Sequence, residues 1–182
     1  MLWFVLAAIA LAAIAAVIDY QTGTIPNWLT VGGLAVGLLG HGAYGWYAID
    51  FKAGAYESAL SLGGALFCSV APALLFWKGG MGGGDLKLYA AIGALCHPLL
   101  GIEIQMYSLV VAAVAAQARL AYEGRLFRVL GGSLALLTNP FRREEKRKAP
   151  PAEAMVWFRL GPAIFVGSVL SLCVHLFSGA PQ

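Results

Sequence analysis

The chain has 182 residues, 60% of them hydrophobic and 12% charged, with a mean hydropathy of +0.77 and a formal net charge of +3. A soluble domain carries about 25% charged residues, and a chain this short cannot enclose so much apolar surface in one water-facing core. These figures exclude an ordinary soluble domain and leave no basis for a nucleic-acid partner. The fold class expected is all-α: one polytopic membrane domain spanning residues 1–182, in contact with lipid.

Apolar segments recur at lengths near the about 20 helical residues that a hydrocarbon core requires. The first, "MLWFVLAAIALAAIAAVI" (1–18), lacks the basic start of a signal peptide and is read as a retained span. Further spans are predicted over about 28–49, 56–77, a short 86–100, 102–122 and 157–177. The weaker stretch "LFRVLGGSLALL" (126–137) holds charge and a Gly pair, and is predicted to be an interfacial helix. That makes about six transmembrane helices. The hydrophilic run "RREEKRKAPPAEA" belongs to a basic loop, 123–155, read as solvated chain near anionic headgroups.

Charge placement orients these spans. Of twelve Lys and Arg, only Lys52 falls away from one alternating set of connections. By the positive-inside rule that set is cytoplasmic. It comprises the turn after the first helix, the turn before Asp85, and the loop 123–155.

Among the acidic residues, only Asp19 and Asp85 sit where a cytoplasmic turn meets a span. Asp50 and Glu57 are expected in an outer connection, Glu103 at the outer mouth of the fifth helix, and Glu123 at its inner end. Ionisable groups at membrane depth are costly and are functional candidates by default. Asp85 follows "GGMGGG", where the absence of side chains lets another backbone approach closely. Asp19 is followed by "TGTIPN", where Pro26 favours extended backbone at Ile25. Such irregular backbone beside a span is tolerated only where protein or a water-filled cleft covers it. Were the first and fourth helices neighbours, both carboxylates would reach one cleft and share a proton, the arrangement of an aspartic protease. The plainer alternatives are a helix N-cap for Asp85 and an ordinary interfacial residue for Asp19.

The blocks "DYQTGTIPN" (19–27) and "GMGGGDLKL" (80–88) resemble the prepilin peptidase family of GxGD intramembrane aspartyl proteases, the type IV prepilin leader peptidases. The first fits a D-x5-I-P-N signature at Asp19, Ile25, Pro26 and Asn27. The second fits G-x-G-D-x-K-L at Gly82, Gly84, Asp85, Lys87 and Leu88. "RLGPAIFVG" (159–167) looks like the family's last-helix segment. The resemblance implies an endopeptidase of the bacterial inner membrane that cuts the basic leader from type IV prepilin or pseudopilin precursors, after a glycine, on the cytoplasmic side. Asp19 and Asp85 would be the catalytic pair, with Gly82 and Gly84 forming the turn that presents the second. Lys87 would snorkel or bind a headgroup. Longer family members add a cytoplasmic region with four cysteines, linked to methylation. Here the first helix starts at Met1, so the chain looks like the short, peptidase-only branch of Flp or tight-adherence pili, with no methyltransferase activity implied.

No cofactor is expected, since two carboxylates and a water suffice. Cys68, Cys96 and Cys173 read as small buried hydrophobes. His41, His97 and His175 fall near predicted outer ends without ligand spacing, so no metal site is expected. Gly32, Gly33, Gly37 and Gly40, with Gly63 and Gly64, suggest close helix packing. Two other classes remain open: a transporter subunit using paired carboxylates for protons or cations, and a pilus-assembly scaffold in which both aspartates are dispensable.

Overall fold

The described residues, 2–124 and 159–178, of this computed structural model form helices joined by short turns, with no strand among them. They are α1 (Leu2–Thr22), α2 (Asn27–Ala48), α3 (Phe51–Trp77), α4 (Gly83–Tyr122) and α5 (Gly161–Ser178). Three of them, α1, α3 and α4, are long and apolar enough to cross a membrane, and α5 is a shorter apolar helix. The expected interfacial helix, 126–137, and the loop residues 125–155 lie outside the described residues.

Local chemistry sets the helix ends. Pro26 holds extended backbone (φ −71°, ψ 143°) and its carbonyl accepts the Leu29 N–H at 3.2 Å, so α2 starts directly after it. The Asp50 side chain accepts the Ala53 N–H at 2.7 Å, which caps α3 and starts it at Phe51, earlier than the expected 56. Glu57 is therefore inside α3, not in a connection. The segments expected over 86–100 and 102–122 form the single element α4, broken at His97 (φ 61°, ψ 170°). Pro98 is the cause: it offers no N–H and pushes the residue before it out of helical backbone.

The chain divides into two compact units, residues 1–111 with 159–182, and residues 112–158. In the second, the end of α4 carries an ion pair between Arg119 Nε and Glu123 Oε1, at 3.0 Å. In the first, α1 lies along α5 and α2 along α3. The first half of α4 forms its centre, with Leu88, Tyr89, Ala91 and Ile92 fully buried. Close approach depends on two glycines. A Cβ on Gly37 of α2 would stand 2.8 Å from the Ala94 carbonyl carbon, and one on Gly64 of α3 would collide with the Gly93 carbonyl oxygen. Gly33 is likewise at a contact, whereas Gly32 and Gly63 face open space.

Candidate active site

Asp19 stands in the last turn of α1, on the face that also buries Ala8, Leu11, Ala12, Ala15 and Ala16, and is 6% exposed. A buried carboxylate needs donors. It receives one from α5, whose first residue, Gly161, donates its backbone N–H to Asp19 Oδ2 at 3.1 Å. A helix N-terminus carries unpaired N–H groups and the positive end of the macrodipole, so it suits an anion. Residue 161 must be small for this contact. A Cβ there would lie 2.9 Å from both Asp19 Cβ and Oδ2, and 3.2 Å from Ala16 Cα. Just before α5, Arg159 donates to the Tyr20 carbonyl and sits 5.8 Å from the centre of the Tyr20 ring. These contacts hold the end of α1 against the start of α5.

Asp85 lies in the first turn of α4, two residues after Gly83. Its Oδ2 lies close to Gly82, 3.1 Å from where a Cβ on that glycine would stand. The Gly82 carbonyl accepts the Leu86 N–H at 3.3 Å, so the cap position belongs to Gly82, and Asp85 stands at the third helical position, where a capping box carries its acidic residue. The N-cap alternative for Asp85 is replaced by this arrangement. The Asp19 and Asp85 carboxylates are near enough to feel each other's charge. Each stands at a helix N-terminus, Asp19 against that of α5 and Asp85 in the first turn of α4.

The loop between α1 and α2 meets the glycine turn directly. Ile25 is 8% exposed, and a Cβ on Gly84 would be 3.1 Å from Ile25 Cβ. Lys87 Nζ donates to Asn27 Oδ1 at 2.8 Å, joining the two sequence blocks by a polar tie. The rest of the loop satisfies itself. The Thr22 hydroxyl donates to the Ile18 carbonyl at 2.9 Å, and the Thr24 N–H to the Thr22 hydroxyl at 3.3 Å. Asp19, Ile25, Asn27, Gly82, Gly84, Asp85 and Lys87 are thus one constellation, with Pro26 setting the start of α2.

The sequence profile of the type IV leader peptidase family matches residues 6–117, more than half of the chain. The chain belongs to the type IV leader peptidase family. It is accordingly a peptidase of the aspartic, membrane-embedded type, and its family acts on prepilin-type substrates. No curated protein and no solved structure matches it.

In this leader peptidase, the 159–167 block was legible in the sequence, but what it touches was not. Gly161 and Arg159 lie outside the matched residues, and only packing shows that they touch α1 at Asp19 and Tyr20. Tyr89 is fully buried one turn after Asp85, with its hydroxyl beside Ser108. An aromatic in an apolar run is indistinguishable from core until its neighbours are known. His41 and His97, far apart in sequence, come together with Glu57 of α3. A cavity of about 460 Å³ also lies near that end, bordered by His97, Glu103 and His175 and not by the aspartates.

Proposed function

We propose that this protein is an intramembrane aspartic endopeptidase that removes the leader from type IV prepilin-like precursors at the cytoplasmic face of the bacterial inner membrane. Asp19 and Asp85 are its catalytic pair. The observation that carries this reading is that two carboxylates from two separate sequence blocks, near enough to feel each other's charge, each stand at a different helix N-terminus. One carboxylate takes a proton from the attacking water while the other, protonated, polarises the scissile carbonyl. Collapse of the tetrahedral intermediate returns a proton to the leaving amine. The glycines at 82 and 84 place no side chain between Asp85 and Ile25, which leaves the carboxylate open to an extended peptide. A precursor with a basic leader and an apolar helix would keep the leader at the positive-inside face and its helix in lipid. Its junction then falls at the inner mouth, where α1 ends and α4 begins.

The test is leader cleavage of a type IV prepilin precursor in membranes, read as a gel shift, for wild type, Asp19→Asn and Asp85→Asn. Asn keeps size and hydrogen bonding but not the titratable proton. Both variants are expected to be folded and inert, with a loss of at least about 1,000-fold on the scale of removed catalytic groups. Cleavage at the normal rate by either would refute the pair. Failure of wild type to cut any precursor would return a transporter or scaffold to the front.

A further inference from the structure

We propose that His41 of α2, Glu57 of α3 and His97 at the kink of α4 form a binding site for one divalent transition-metal ion of the zinc type, separate from the aspartates. One ligand atom from each lies within 4.8 Å of the others. His41 Nδ1 is 4.0 Å, and His97 Nε2 is 3.5 Å, from the same atom, Glu57 Oε2. All three atoms are buried and have no hydrogen-bond partner. Three orphaned polar atoms converging in an apolar setting are costly unless something sits among them.

The tautomer of His41 is fixed for the task. Its Nε2 faces the Leu95 carbonyl at 2.9 Å, and a carbonyl only accepts, so Nε2 carries the hydrogen. The Nδ1 lone pair then points at Glu57. Metal-binding histidines are characteristically oriented this way, with the second ring nitrogen donating to a backbone carbonyl. His41 is 1% exposed and its ring stacks on Phe4, with centroids 3.7 Å apart. His97 holds a backbone φ of 61°, the sole positive φ outside glycine among the described residues, and its ring packs 4.1 Å from that of His41. Backbone in that region costs about 1–3 kcal/mol and clusters at ligand sites.

The distances decide between an ion pair and a metal. A charge-assisted hydrogen bond between imidazolium and carboxylate would close to about 2.7–2.9 Å. Ligands on a tetrahedral zinc, at about 2.0–2.1 Å, stand about 3.3–3.5 Å apart. The 3.5 Å pair already stands at the second spacing, and the other separations, 4.0 Å and at most 4.8 Å, close on an ion by up to about 1.4 Å. Two imidazoles and one carboxylate favour zinc or a neighbouring transition ion over magnesium or calcium, which take oxygen donors. A water completes the coordination. Because Phe4 precedes Asp19 by about 15 residues on α1, the site lies roughly 22 Å along the helix from the catalytic pair. Its role is to clamp α2, α3 and the α4 kink, and it is independent of the proposed peptide chemistry.

The test uses untagged full-length protein in detergent, stripped with a chelator and titrated with Zn²⁺ against a chromophoric competitor, then with Co²⁺ by visible absorption. Wild type is expected to bind one zinc per chain and to give tetrahedral cobalt bands without a thiolate charge-transfer band. Glu57→Gln and His97→Ala should weaken zinc at least tenfold, while His175→Ala and Asp85→Asn retain it. The proposal is overturned by no saturable binding at micromolar free zinc. It is equally overturned by wild-type affinity in Glu57→Gln, or by equal loss in His175→Ala. Should the ligand variants lose their helical circular dichroism, the wild-type cobalt spectrum decides, and a thiolate band overturns the assignment.

Discussion

Gly161→Ala tests whether the start of α5 sets the position of Asp19. The added methyl would lie 2.9 Å from Asp19 Cβ and Oδ2 and 3.2 Å from Ala16 Cα. Optimal carbon contacts are about 3.5–4.0 Å, so α5 and α1 must separate by about 0.5–0.8 Å. Overpacking of this kind costs about 1–3 kcal/mol, offset by up to about 1 kcal/mol from replacing glycine in a helix. The net loss is then up to about 2 kcal/mol, which lowers stability but leaves the protein folded. The catalytic effect is larger, because the 3.1 Å bond from Gly161 N–H to Asp19 is stretched and the carboxylate moves. A misplacement of about 1 Å costs about 100-fold in rate, so prepilin cleavage should fall about 10- to 100-fold at a temperature where the protein stays folded, with melting lowered by a few degrees. The assay is a time course of leader removal in detergent, with Gly32→Ala as control, since nothing lies within 4 Å of that site. Cleavage by Gly161→Ala within twofold of wild type would show that α5 does not hold Asp19.

Lys87→Met should lower cleavage about two- to fivefold without abolishing it, because an exposed charge-assisted contact such as that to Asn27 is worth about 0.2–1 kcal/mol. A loss as deep as that of Asp85→Asn would instead give Lys87 a part in the chemistry. Gly64→Ala drives a methyl into the Gly93 carbonyl, and backbone cannot rotate aside as a side chain can. It should destabilise by about 3 kcal/mol or more, seen as inactivation at lower temperature in detergent, while Gly63→Ala, facing open space, stays at wild-type stability.

What the sequence determined by itself is what depends on short stretches of chain. Hydrophobic length gives membrane-spanning helices, since a helix's demand for lipid is set by its own residues. Pro26 and the glycines before Asp85 marked the turns that flank both carboxylates, and two ordered blocks carried the family. Some local signals were present but outweighed: the Asp50 cap moves the start of α3 and encloses Glu57, and Pro98 shifts the break in α4 to His97.

Tertiary structure alone decided which helices are neighbours, because apolar stripes of similar composition can pack in many ways. The Gly161 N–H on Asp19, the Lys87–Asn27 tie and the His41–Glu57–His97 cluster each join residues far apart in sequence. No spacing rule foretells such contacts. They arise where glycines such as Gly37 and Gly64 let α2 and α3 close onto α4, and where α5 meets α1.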